Sequence, residues 1–311
     1  MTNIKKIGLT ALAGSLAATS AFAGALDVTG TAKITYVSQD ETEVTGNPYS
    51  MSQGIGFSGS GELDNGMTIN YGYTMSDAAF SSSTLKLDMG DMGTLSYSDG
   101  AGSTGISAYD DKMPTAGEEV WDDLDGQANG IATISNKGTL GYAGTFSGVG
   151  VSISYNPDDA AAPATTAESS KSIVFSGEVG GANVFLGMGD KAGATVNTGT
   201  DLTTAGVTYT AGAVTVGFQT TSIDASAANS DVDRNHVAAS FAVNENLSIS
   251  YGMSTVEFES AAKVDQEDSG VAVSYTMGSM TLAAFMNKSD DVGGTSAAED
   301  SVTEVSLAFA F

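Results

Sequence analysis

The 311-residue chain has no cysteine, a single histidine, a single tryptophan, and 11 basic residues against 37 acidic ones. The missing thiols exclude disulfide scaffolds, cysteine zinc sites, thiol catalysis and iron–sulfur clusters, and they suit an export route in which free thiols are a liability. A formal charge of −26 with scattered bases cannot neutralise a run of phosphates, so nucleic acid is excluded as a partner. Beyond the N-terminal segment no uncharged apolar run reaches the roughly 18 residues that a membrane helix needs. Any serine–histidine machinery would have to use His236, which has no nucleophile motif near it. A hydrophobic content of 41%, spread evenly, is nevertheless too high for a disordered acidic chain.

What is present begins with an address. Lys5 and Lys6 precede an uncharged stretch from Ile7 to Thr19, and Ala21-Phe22-Ala23 fits the small-x-small pattern of a signal-peptidase site. Residues 1–23 are therefore expected to be a cleaved signal peptide, and residues 24–311 a single domain. Removing two lysines and no acid leaves nine bases against 37 acids, a charge of −28.

From Leu26 onward apolar residues fall on every second position: Leu26, Val28, Ile34 and Tyr36 alternate with Asp27, Thr29, Lys33 and Thr35. Period two is the mark of a strand with two unlike faces. The pattern returns in Ile55 to Leu63 and, after Asp64-Asn65-Gly66, in Met67 to Met75. Asn and Gly tolerate the positive φ of a tight hairpin. Leu85 to Met89 pairs with Leu95 and Tyr97, and Leu140 to Phe146 with Val149 to Tyr155. Four more hairpins turn at Gly180-Gly181, Ala211-Gly212, Asn244 to Asn246 and Gly278-Ser279, and a last segment runs from Val305 to Phe311.

Sixteen segments result, joined alternately by seven short turns and eight longer connections that hold most of the acids. Short turns on one rim and long loops on the other predict an all-β fold, a sixteen-stranded antiparallel transmembrane β-barrel. At about 10 residues per crossing the strands use roughly 160 residues. The polar face of each strand, with Ser58, Ser60, Glu62, Asn70, Thr74, Lys86 and Asp88, suits a water-filled lumen. Tyr36, Tyr71, Tyr97, Tyr155, Tyr209, Tyr275 and Phe309 share the apolar parity, as interfacial girdles do.

These features together, a signal segment, sixteen alternating strands, a long connection after the fifth and a last strand Val305-Ser306-Leu307-Ala308-Phe309-Ala310-Phe311, resemble the general diffusion porins of Gram-negative outer membranes, the alphaproteobacterial type in particular. The resemblance implies a bacterial outer-membrane homotrimer in contact with lipid and lipopolysaccharide. It implies assembly through Phe311, read by the barrel-assembly machinery. It also implies a third loop, 98–136, folded inward to narrow each pore. In this loop Asp110, Asp111, Glu118, Glu119, Asp122, Asp123 and Asp125 stand against Lys112, and several such charges in a low-dielectric wall favour cations. Trp121, inside the run, is a candidate to pin the loop to the wall. The family sets basic residues opposite that loop; here the lumen parity supplies only Lys33 and Lys86, with Glu62 and Asp88 beside them. The single Arg234 lies elsewhere, a departure that weakens any transverse field.

Two other motifs fail. Gly54-Ile55-Gly56-Phe57-Ser58-Gly59 spells a dinucleotide fingerprint but runs into another strand instead of a helix. Asp231, Asp233 and Asn235 match the start of a calcium loop, yet His236 stands where glycine is required and Ala242 where the bidentate glutamate belongs. The expectation is a passive, non-enzymatic channel for small hydrophilic solutes and ions, preferring cations, with no cofactor beyond loosely bound calcium. Cation preference should fade as pH falls toward about 4 to 5, where crowded carboxylates protonate. The alternatives are an exported structural or adhesive all-β surface protein and a barrel enzyme.

Overall fold

The computed structural model of the chain describes residues 26–39, 46–77, 79–100, 104–126, 130–131, 134, 138–157, 169–193 and 198–311. The expected signal peptide, 1–23, lies outside the described residues, as do parts of the expected third loop. Sixteen strands follow one another: β1 Asp27–Gln39, β2 Tyr49–Glu62, β3 Thr68–Ser76, β4 Ala79–Asp88, β5 Thr94–Asp99, β6 Thr139–Phe146, β7 Val149–Asn156 and β8 Ser170–Val179. They continue as β9 Ala182–Lys191, β10 Thr200–Ala211, β11 Val214–Ala225, β12 Val232–Ala242, β13 Leu247–Phe258, β14 Gln266–Met277, β15 Met280–Asp290 and β16 Glu299–Ala310.

Each strand pairs antiparallel with the next, and β1 pairs with β16 from Thr31↔Ala310 to Gln39↔Val302. The sheet is a closed barrel, sealed at its seam by Phe311 N–H to the Gly30 carbonyl (2.8 Å) and Gly30 N–H to the Phe311 carbonyl (3.1 Å). The short rim is built by turn chemistry that the sequence carries openly. Gly180 and Gly181 take φ +62° and +83°, values that a side chain would resist, and the Asn65 carboxamide oxygen accepts the Met67 N–H at 3.1 Å. On the other rim the connection between β3 and β4 is only 77–78, whereas 100–138 joins β5 to β6. The strand ends thus set the long loop two residues later than the expected 98–136.

The outer face carries the large apolar side chains in the open: Ile34, Tyr71, Leu85, Phe175, Val237, Tyr251, Val271 and Leu282 are 38% exposed or more. The inner face carries Thr35, Ser96, Ser154, Thr204, Gln219, Ser254 and Asn287, all buried. A closed barrel with its oily side outward and its hydroxyls inward is the inverse of a water-soluble sandwich, and it is coherent only with hydrocarbon outside. Buried apolar clusters lie inside the barrel, under the long loop: Ile106, Ile131 and Ile134 against Val174 and Leu202, and Ala272, Phe285 and Val302 with Leu124 and Ala116 packed on them.

If that outward band is solvated by lipid, Val271→Arg, placed midway along β14, should destabilise the folded barrel in vesicles by about 2–4 kcal/mol, read from urea unfolding. A cost near zero would place the band in water.

Candidate functional site: an acidic loop seated on the inner wall

Residues 104–126 of the 100–138 segment cross the interior along the strands in order, Gly130, Ile131 and Ile134 lie back against β12, β8 and β10, and the wall has been prepared for them residue by residue. Gly105 N–H donates to Ser152 Oγ and Ile106 N–H to Ser172 Oγ, both at 2.8 Å. Gly105 sits at φ +61° with the Ser154 and Ser172 hydroxyls where a Cβ would stand, so glycine is required at this entry. A short 3-10 helix, Gly105–Tyr109, then drives Ile106 into full burial, worth roughly 1.5–3 kcal/mol for a side chain of that size. The Gln219 carboxamide of β11 clamps the next step, donating to the Tyr109 and Asp110 carbonyls (3.0 Å each) and accepting the Lys112 N–H at 3.0 Å. Ala116 N–H donates to Ser250 Oγ on β13 at 2.8 Å, and Asn287 Nδ2 on β15 donates to the Glu119 and Asp122 carbonyls at 2.9 and 3.1 Å. Asp125 N–H reaches the Asp300 carboxylate of β16, and Arg234 of β12 donates to the Gly130 carbonyl. The described part of the loop therefore lines the wall from β5 round to β16, reaches Lys33 and Val37 of β1, and leaves β2–β4 uncovered.

Trp121 does pack on that wall, edge-on to His236 of β12 with ring centroids 4.8 Å apart. His236, which the sequence places at a strand mouth beside Arg234, is an inward residue within β12 and only 4% exposed. Its Nδ1 lies 3.7 Å from Asp111 Oδ1, an ionic contact longer than a hydrogen bond. Burial alone would raise the Asp111 carboxyl, but the imidazole, the Met113 N–H and the Glu119 side chain outweigh it and hold Asp111 below the usual carboxylate range. Glu119 answers in the opposite sense: burial first, then the Asp111 carboxylate beside it, push it up to about 8. At neutral pH Glu119 is largely protonated and Asp111 ionised, which lets two acids share one crowded place.

Farther along, Glu118, Glu119 and Asp122 bring carboxylate oxygens within 4.8 Å of one another. Asp122 is pushed up to about 6 by burial and then by Glu118 and Asp123; Asp123 is raised by burial and by Glu304 of β16. Lys33, inward on β1, is the one base among the described residues that makes an ion pair with this group. Its ammonium is 2.9 Å from Glu304 Oε1 and 3.9 Å from Glu118 Oε1. Asp110 stands earlier on the loop, its carboxylate against Gly130. Glu62 and Lys86 share the lumen parity but not this level: Glu62 ends β2 at the short rim, and Lys86, paired with Asn70 and Ser96, is two residues from the end of β4. The structure thus gathers Asp111, Glu118, Glu119, Asp122, Asp123 and Asp125 with Lys33 on one strip and leaves Glu62 and Lys86 apart from it.

A model of the Gram-negative porin family matches residues 8–311. The chain belongs to that family. The porin is accordingly a passive channel of the bacterial outer membrane, and the exported structural or adhesive reading finds no support. A comparison with curated protein sequences gives no match. Among solved structures, the anion-selective porin from Comamonas acidovorans has a TM-score of 0.68 at 14% identity, covering 92% of this chain and 99% of that one. The trimer form of OmpT, an outer membrane protein of Vibrio cholerae, gives 0.68 at 13%, covering 93% and 99%. A triple mutant of the Rhodopseudomonas blastica porin gives 0.65 at 15%, covering 92% and 100%. At such identities the likeness is one of fold.

The wall residues that seat the loop, Gln219, Ser250, Asn287 and Asp300, escape a reading by parity because each looks like any solvated lumen residue. One signal was available. Val174, Leu202 and Phe285 are apolar on the inward parity, and each lies under the loop. Gly252 is a further seat, since a Cβ there would stand 2.7 Å from Val120 Cγ1. Gly252→Val should therefore lift the loop and raise single-channel conductance while the barrel still inserts; an unchanged step size would show that the loop is not held there.

Proposed function

We propose that the porin passes small hydrophilic solutes and ions by size and charge, without chemistry, and prefers cations. The observation that carries this reading is the strip from Glu118 to Asp125, whose one ion-paired basic partner among the described residues, Lys33, is already bound to Glu304 and Glu118. Unpaired negative charge beside a narrow aqueous path raises the local cation concentration. No arginine cluster opposes it, because Arg234 is committed to the Gly130 carbonyl on the loop side. The Comamonas porin is named anion-selective; the excess of acid argues for the opposite sign here.

No cofactor belongs to this reading, and calcium enters it only as a loosely held counter-ion of loop carboxylates. A homotrimer is the expected assembly, supported by the trimer form of the Vibrio cholerae protein. Phe311 is the proposed handle for the barrel-assembly machinery. Lipopolysaccharide is the proposed neighbour at the long-loop rim, where Asp190, Asp201 and Asp224 stand directly opposite one another on β9, β10 and β11 on the outward face. Like charges so placed repel, and divalent cations shared with lipid phosphates would relieve that.

The test is reversal potential in a planar bilayer under a KCl gradient. A cation-side reversal is expected, and changing Glu118, Glu119, Asp122 and Asp123 to the corresponding amides should move it toward zero; an anion-side reversal in the unaltered protein would discard the acidic strip. The raised acids also set a pH window above the 4 to 5 expected from sequence. Cation preference should rise as pH climbs through about 6, where Asp122 ionises, and again near 8 with Glu119. Protonation of these same groups favours the docked loop, so docking is firmest below their unfolded values and loosens as pH rises through 6 and 8. A selectivity flat from pH 5 to 9 would contradict both assignments.

A further inference from the structure

Where the loop enters the barrel it roofs a second region of the lumen, on the side away from the acidic strip and near the short turns. Two lobes of about 430 and 450 Å³ meet there, sharing Tyr109, Lys112, Gly150 and Ser176. That is the size range of pockets that hold small organic molecules. The floor is aromatic: Phe185 lies flat over the wall at Gly206, where a Cβ would strike its ring, and Tyr109 rests on Phe185 with centroids 5.1 Å apart. Tyr109 is fixed by its own hydroxyl, 3.0 Å from Ser176 Oγ.

Two opposite charges face this space without meeting. The Lys112 ammonium sits 5.5 Å from the Tyr109 ring centroid, a cation–π contact, and no carboxylate among the described residues comes within ion-pair distance of it. Glu178, inward and exposed near the end of β8, lines the 430 Å³ lobe beside Asn183 and Thr208, and its carboxylate has neither a salt bridge nor a hydrogen bond among the described residues. Lys112 shares this lack of an ion pair with Lys86, Lys191 and Lys263 among the described residues. Lys33 is held by two acids and Lys171 and Lys288 by one each, at 3.5 and 2.8 Å. The Lys112 N–H is anchored on Gln219 of β11 and Glu178 stands on β8, and the two side chains form no ion pair with each other.

We infer that this vestibule is a docking station for zwitterionic solutes, free amino acids or short peptides. The solute's carboxylate meets Lys112, its ammonium meets Glu178, and its body lies against Tyr109 and Phe185. Both protein charges are open to water, so binding is weak, on the order of millimolar, as suits a solute that must leave again. The station rests on the channel reading above and gives it a substrate class. It also supplies what the acidic strip does not, a place in the path where an anionic group is welcome.

The test is ion current through the reconstituted porin with alanine or dialanine added on the short-turn side, and N-acetyl-dialanine amide as the uncharged control. A saturable fall in current is expected with a zwitterion and not with the control. In Lys112→Gln and Glu178→Gln the half-effect concentration should rise at least about fivefold, and the exchange Lys112→Glu with Glu178→Lys should recover part of the response, which loss of a structural contact would not. An equal effect of the uncharged control, or two single variants that respond as the parent does, would overturn the station. Current with a cation-side reversal but no zwitterion response removes the station alone; no current from inserted protein removes the channel reading beneath it.

Discussion

Hydrocarbon offers no partner to a backbone N–H or C=O, and a sheet immersed in it can leave no edge unpaired. Everything else in this chain follows from that demand. It fixes the even count of strands, the pairing of β1 with β16 and the sorting of side chains into an oily exterior and a hydroxyl-lined interior. The short turns are cheap because glycine and asparagine supply the positive φ they need. A barrel closed in this way has a large, wet interior and no core of its own. The core it does possess is made by folding one connection back inside, so that Ile106 and Ile131 on the loop meet Val174 and Leu202 on the wall.

On the function proposed above the loop is both packing element and selectivity element, and its two tasks conflict. Seating it tightly buries carboxylates that would be better solvated. The conflict is resolved locally: Asp111 keeps its charge beside His236, Glu119 gives its own up, and Asn287 holds the Glu119 and Asp122 carbonyls against the wall. Lys33 ties the loop's edge to Glu304 across the barrel seam, since β1 and β16 are the strands that close it.

All sixteen strands can be read from sequence because period two is a direct image of the pleat and because turn residues punctuate it. The acidic strip can be read too, since Glu118 to Asp125 is dense enough to stand out. Height within the barrel cannot. Lys33, Glu62 and Lys86 all have lumen parity, but parity carries no information about level, and only pairing register sets Glu62 and Lys86 near the short rim. The track of the loop is hidden for a similar reason: Gln219, Ser250 and Asn287 become clamps only when a backbone from more than 100 residues away is laid across them. His236 shows the same limit, because Asp111 and Trp121 reach it through space alone.

One consequence concerns mechanics. From β7 to β16 the barrel is a shell of two layers, sheet outside and loop inside, laced by hydrogen bonds from seven strands and by buried apolar side chains. From β2 to β4 it is a single layer, and the rim between β3 and β4 is closed by only two residues. Few packed contacts mean low local stability. Lateral pressure from the membrane therefore strains the two parts unequally: the thick part resists it, and β2–β4 are the compliant side of the barrel.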